Sequence, residues 1–141
     1  MVRKKVESPP EVKKTLEITL IAGKLYRNTE FFGTMDPFIE LVHNGKSYKT
    51  EVCEDGGKKP KWNETITIPN VNLEDKIKIR CLDEDFVSND LVGEHTYTIQ
   101  DLCPFDTVNN DWFTLFYKKK KSADINIESK ITKETIRKNT N

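Results

Sequence analysis

Apolar and polar residues alternate in several short segments of this chain, and turn-forming residues separate the segments. In the first segment Leu16, Ile18 and Leu20 share one face, while the intervening Glu17 and Thr19 share the other. A period of two is typical of a half-buried β-strand. Strands are predicted from residue 16 onward and over 37–42, 48–53, 62–68, 75–82, 91–99, 112–117 and 123–131. Eight short strands without a useful helical period predict an all-β antiparallel sandwich.

The regions outside this pattern are short. The helical candidate is a single turn over residues 99–102, which Pro104 ends. Residues 1–13 are polar, charged and interrupted by Pro9 and Pro10, which predicts a flexible basic tail. Residues 14–131 are predicted to form one domain, and residues 132–141 a polar C-terminal tail. A chain of 141 residues suits one domain with a real core.

Charge is distributed unevenly although its formal sum is zero. The chain contains no lysine or arginine from Cys81 to Tyr117, a region rich in aspartate and glutamate, and Lys118–Lys121 follow directly. Such segregation predicts separate acidic and basic surfaces. Nucleic-acid binding is not expected, because basic and aromatic residues do not interleave and the acidic region opposes it.

Other classes of function find little support in the sequence. Cys53, Cys81 and Cys103 lack metal-ligand spacing and are expected to be free thiols in a reducing compartment. The two histidines, His43 and His95, lie in no nucleophile motif, so we do not expect an enzyme. No apolar run is long enough to cross a bilayer, and no secretory or myristoylation signal follows Met1. The expected location is the cytoplasm.

Four motifs in order resemble the C2 domain family over about residues 16–131. They are Gly33-Thr-Met-Asp-Pro-Phe38, Pro60-Lys-Trp-Asn-Glu64, Asp83-Glu-Asp85 followed by Asp90-Leu-Val-Gly-Glu94, and Trp112-Phe-Thr-Leu115. Because only a tail precedes the first strand and a strand follows Leu115, the order resembles the type II topology. The resemblance implies an eight-stranded C2 β-sandwich, expected to be a stand-alone, monomeric domain.

The resemblance also implies a calcium site. Clustered carboxylates destabilise a fold unless a cation compensates them, and Ca²⁺ takes six to eight oxygen ligands from several loops. Asp36, Asp83 and Asp85 match family positions directly, Glu30 stands where the family usually has Asp, and Asp90 ends a loop that is one residue short. Ser88 is a further oxygen donor nearby. The alternative is that these acids are solvated loop charges or the remains of a lost site.

Exposed apolar residues beside the acids predict a membrane surface. Phe31 and Phe86 match loop-tip positions that insert into lipid in this family, and Phe32 and Val87 extend them; the alternative is packing beneath their own loops. A basic patch for lipid headgroups is predicted at Lys46, Lys49, Lys58, Lys59 and Lys61. The expected function is calcium-dependent, peripheral binding to anionic phospholipid membranes for recruitment. The alternative is a calcium-independent C2 subunit that binds a protein partner through its tails or sheet faces.

Overall fold

The computed structural model describes residues 9–137 and consists of eight strands and one helical turn over that range. The strands are β1 (Glu11–Leu25), β2 (Pro37–His43), β3 (Lys46–Lys49), β4 (Lys61–Ile68), β5 (Lys76–Asp83), β6 (Asp90–Thr98), β7 (Asn109–Tyr117) and β8 (Lys120–Ile136), and the helical turn α1 (Ile99–Leu102) lies between β6 and β7. All strand pairs are antiparallel. The predicted all-β antiparallel fold is confirmed.

The strands form two layers joined at one seam. Their hydrogen-bonded order is β3-β2-β5-β6-β7-β8-β1-β4. At the seam between β6 and β7 a single residue pair, Glu94 and Phe116, is in register, and side chains close the remainder. The rings of His95 and Tyr97 on β6 pack edge-on against Phe116 and Phe113 on β7. The result is a sandwich that is nearly closed into a barrel on this side.

The core follows the alternation seen in the sequence. Leu16, Ile18 and Leu20 are fully buried, as are Ile125 and Ile127 on the neighbouring β8. In β5 the buried residues alternate with exposed Lys76 and Lys78. Each buried aliphatic side chain contributes about 1.5–3 kcal/mol through removal from water, so the inward faces of both layers hold the sandwich together.

The two outermost strands are longer than predicted. β1 begins at Glu11 instead of at residue 16, and β8 ends at Ile136 instead of at 131, because the two segments pair with each other in the register Glu11↔Ile136 to Lys14↔Lys133. Part of each predicted tail is therefore strand. Residues 1–8 and 138–141, the remainder of the tails, lie outside the described residues.

The third strand is shorter than predicted. It ends at Lys49, and residues 50–53 follow β2 through isolated bonds: the Thr50 and Cys53 amides donate to the carbonyls of Ile39 and Pro37. The predicted helical turn over residues 99–102 is confirmed as α1. Asn44 and Gly45 connect β2 to β3 with positive φ, and a capping box between Thr98 and Asp101 starts α1.

The predicted acidic and apolar site residues lie at one end of the sandwich. We call the connections there the first loop (residues 26–36), the second loop (50–60) and the third loop (84–89). The antiparallel register brings their ends together, and the start of β1 and the end of β8 lie at the opposite end. In the part of the chain that the structure describes, no helix has the length and apolar character needed to cross a bilayer.

Candidate functional site

Backbone hydrogen bonds draw the three loops together around Asp36 and Asp83. Strand pairing places Pro37 opposite Asp83, and the Asp36 amide donates to Oδ1 of Asp83 at 2.7 Å. From the second loop, the Asp55 amide donates to Oδ1 of Asp36 at 2.7 Å. From the third loop, the Glu84 amide donates to the Asp36 carbonyl at 3.0 Å. The predicted convergence of Asp36 with Asp83 is therefore present.

Trp62 connects the two layers at the start of β2, next to these loops. It lies on β4, in the other layer, and its indole Nε1–H donates to the carbonyl of Pro37 at 3.0 Å. Gly23 allows this packing, because a Cβ there would lie 3.2 Å from both the Pro60 and Trp62 side chains. The Pro-Lys-Trp motif thus joins the two layers directly beneath the acidic residues.

Asp83 is the buried centre of the acidic cluster. Its exposed fraction is 0%, and its second oxygen accepts a hydrogen bond from the Thr29 hydroxyl at 2.7 Å. Asp90 lies directly opposite it in the β5–β6 pairing. Like charges directly opposite in a sheet destabilise it, so this pair needs compensation.

Glu30, in the first loop, adds another carboxyl group to this acidic cluster. A hydrogen bond with Asp83, together with the charges of Asp83, Asp85 and Asp90, raises the pKa of Glu30 to about 7. Neighbouring carboxylates and desolvation both favour the protonated form of a carboxyl group, and the carboxylate of Asp83 contributes most to the raised pKa of Glu30. Four of the predicted metal ligands therefore interact electrostatically across the first and third loops.

The acidic side chains are not arranged as a complete set of metal ligands. Among the described side chains, no group of three or more histidine, cysteine, aspartate or glutamate residues is arranged to hold a metal ion as it stands. The side chain of Asp36 faces the Asp55 amide, and Oδ1 of Asp85 accepts from the Phe86 amide at 2.7 Å. Ser88 is exposed in the third loop. Closure around a cation requires these side chains to rotate.

Four apolar side chains project from the same loops. Phe31 and Phe32 are 92% and 85% exposed, and Phe86 and Val87 are 103% and 93% exposed. The alternative that they pack beneath their loops is therefore wrong, since almost all of their surface faces solvent. We call these four residues the apolar tips.

The five predicted basic residues do not form one surface. On β3, Lys49 lies opposite Glu40 and shares a face with Ser47, whereas Lys46 points to the other face and stacks over Tyr48. Lys58 and Lys59 are in the second loop, and Lys61 begins β4 at the edge of the other layer.

The sequence analysis overlooked basic residues on β5. Lys76, Lys78 and Arg80 alternate with buried residues and share the outward face that holds Lys49. Arg80 donates to Glu40 at 2.7 Å and to Glu94 at 3.0 Å, so it is neutralised within the face. The alternation Lys76-Ile-Lys78-Ile-Arg80 was the signal available in the sequence.

The chain matches a known protein family over most of its length. The sequence profile described as C2 domain matches residues 14–115. The chain belongs to the C2 domain family. The fold and the strand order of this C2 domain agree with that membership.

Several relatives and solved structures are similar to this C2 domain. It is 34% identical over 93 residues to 16 kDa phloem protein 1 of Arabidopsis thaliana, covering 62% of this chain and 60% of that protein. It is 31% identical over 90 residues to elicitor-responsive protein 3 of Oryza sativa subsp. japonica, covering 63% and 62%. The matches thus span about three fifths of these curated relatives. In structure it resembles a C2 domain of plant extended synaptotagmin 1, with a TM-score of 0.74, 15% identity and coverage of 88% and 96%; this likeness shows the fold.

The donor chemistry of the acidic cluster fits Ca²⁺. C2 domains commonly bind this ion, and it selects carboxylate and other oxygen ligands from flexible loops. Here the donors are carboxylate oxygens of residues in or beside the first and third loops. Asp83, Asp90 and Glu30 lie close enough together for their negative charges to repel one another. A divalent cation is the natural compensation for such a cluster.

Proposed function

We propose that this C2 domain binds anionic phospholipid membranes in a calcium-dependent manner and so acts as a recruitment module. The residues that would hold the ion are Glu30, Asp36, Asp83, Asp85 and Asp90, with the hydroxyl of Ser88 nearby. The observation that supports this most directly is the convergence of uncompensated acids on buried Asp83. Its location beside four exposed apolar side chains supports membrane docking.

Charge and burial explain how these residues would act together. Without a cation the acidic cluster repels an anionic leaflet, which keeps the apolar tips in water. A bound calcium ion supplies positive charge and coordination positions for lipid phosphate oxygens. The apolar tips then add about 1.5–3 kcal/mol for each Phe that enters the lipid. Lys58 and Lys59, in the neighbouring second loop, favour the same leaflet.

The test is vesicle co-sedimentation with calcium and with a chelator. At physiological salt, wild-type protein is expected to bind vesicles of equal parts phosphatidylserine and phosphatidylcholine much more strongly in calcium than in chelator. The variant Glu30→Gln/Asp85→Asn is expected to lose most of that binding. Asp83 is left intact, because its two oxygens accept structural hydrogen bonds from Thr29 and Asp36 and its loss would disturb the fold.

The matched control removes two exposed acids at the same end, Glu54→Gln/Glu84→Gln. It also removes two acidic groups but leaves the cluster unchanged, so its calcium response should equal that of wild type. Calcium-indifferent binding by wild-type protein, or equal losses in both variants, contradicts the proposal.

The second candidate is a calcium-independent, protein-binding C2 domain. The specific observation in its favour is that Thr29 and the Asp36 amide already satisfy both oxygens of Asp83 without a metal. Isothermal titration of calcium into the protein alone separates the two candidates. An absence of heat together with calcium-indifferent sedimentation supports this second function.

A further inference from the structure

A basic turn stands beside the acidic loops at the same end of the sandwich. Tyr117 on β7 pairs with Lys120 on β8, so Lys118 and Lys119 form a two-residue hairpin connection. With Lys120 they are exposed, and the ion pairs found in residues 9–137 do not include these three lysines. Lys121 differs, since it pairs with Asp124 at 2.9 Å. We call Lys118, Lys119 and Lys120 the basic turn.

The sequence of the basic turn is unfavourable for its backbone. Lys118 and Lys119 have φ values of 48° and 67°, a left-handed conformation at both positions that favours Asn-Gly. The connection between β2 and β3 has the same form, and there the residues are Asn44 and Gly45, with φ values of 47° and 76°. The chain therefore places lysine where local stability favours other residues. Conformational strain of this kind concentrates at functional positions.

Arg27, in the first loop, connects the end of β7 to the start of β6. Its guanidinium lies 3.7 Å from the centre of the Tyr117 ring, and its Nε–H donates to the Leu91 carbonyl at 3.2 Å, directly after Asp90. The amides of Tyr26 and Arg27 donate to the Ser122 carbonyl. The backbone of the turn is thus anchored at the end of the sandwich that presents the apolar tips.

The geometry points to a second membrane contact, in which the basic turn binds the phosphate-rich surface of an anionic phospholipid leaflet without calcium. The partner is a leaflet because a surface that reaches the apolar tips of the first and third loops also reaches this turn. Lysine charge is permanent at neutral pH, whereas the charge of the acidic cluster depends on its ion. The turn supplies a constant attraction that is separate from the calcium response. This second contact rests on the proposed function in one respect, namely that the end of the sandwich with the apolar tips faces the membrane.

The variant Lys118→Asn/Lys119→Gly tests this inference, because it copies the Asn44-Gly45 turn and removes two charges. Its control is Lys13→Gln/Lys14→Gln, which removes two lysines from the opposite end. In chelator at low salt, the turn variant should bind phosphatidylserine-phosphatidylcholine vesicles about tenfold more weakly than wild type, and the control should bind as wild type does. Added salt should reduce the difference.

Thermal unfolding separates this effect from damage to the fold. The turn variant should melt at the same or a higher temperature than wild type, because the strain is relieved. Equal vesicle binding by the turn variant and its control, or a lower melting temperature for the turn variant, overturns the inference. If wild-type protein shows no calcium response, the proposed function fails. The comparison of the turn variant with its control in chelator still tests the basic turn in that case.

Discussion

Gly93 lacks a side chain, and this allows β6 to pack closely against β7 and β8 at the seam between the two layers. A Cβ at this position would lie 2.0 Å from Oγ of Ser122 and 3.3 Å from Cβ of Leu115. The Gly-Glu motif noted in the sequence therefore has a steric cause, because β8 and β7 pass too close to β6 for any other residue.

We expect Gly93→Ala to destabilise the fold by about 1–3 kcal/mol through overpacking. Removing the opposing hydroxyl in Gly93→Ala/Ser122→Ala should recover part of this loss. Urea unfolding followed by circular dichroism measures both variants. A Gly93→Ala protein as stable as wild type would show that the strands separate without cost.

Asp75 gives the domain an acid-sensitive contact far from the loops. Burial alone would raise the pKa of this carboxyl, but hydrogen bonds from the Asn72 amide and from His43 together lower the pKa below its ordinary value. A lowered pKa stabilises the fold above the ordinary value, and that stability is lost as pH falls through the folded-state pKa.

The variant Asp75→Asn is expected to lose about 1 kcal/mol at neutral pH, since it gives up a charged hydrogen-bond acceptor. The difference from wild type should shrink below about pH 4 and vanish at more acidic pH. Chemical unfolding across this range provides the measurement. A difference that stays constant with pH would mean that the contact is not electrostatic.

At the level of strands, the ends of β1 and β8 form a two-stranded ribbon beyond the sandwich. Glu11–Lys14 pairs with β8 alone, whereas Leu16 is the first residue that also pairs with β4. Val12 in the ribbon is 49% exposed. The ribbon therefore contributes little to the core, and two strands alone are marginally stable in water.

A truncated protein covering residues 14–131 should consequently fold, with a loss of about 1 kcal/mol or less. A shorter protein covering residues 18–128 loses Leu16 and Ile131, which are buried, and should unfold. Urea midpoints of the two truncations provide the comparison. An unfolded 14–131 protein would show that the ribbon is essential.

The limits of prediction from sequence are clearest in these same elements. Strand segments with one buried face were predicted well, because burial imposes alternation on residues such as Ile77 and Ile79. The ribbon was assigned to tails because water covers both of its faces and no pattern results. β3 was predicted too long because residues 50–53 leave the sheet through bonds of Thr50 and Cys53 that no local pattern records.

For the whole molecule, the sequence indicated which acids belong together but not how they are held. The spacing of Asp36, Asp83 and Asp85 is a family motif and needed no coordinates. The contacts of Asp83 with Thr29 and of Asp36 with Asp55 join loops far apart in the chain. The basic turn was visible within the run Lys118–Lys121, but its place beside the acidic end follows from the pairing of β7 and β1 with β8.

The pairing of Glu11 with Ile136 has a practical consequence for studies of the domain. Both termini of the sandwich leave it side by side, at the pole farthest from Phe31 and Phe86. A fluorophore attached at Glu11 or Ile136 would point into the aqueous phase in the proposed docking mode. Labels at these two paired positions would stay neighbours throughout, so a change in energy transfer between them would report fraying of the ribbon and not contact with lipid.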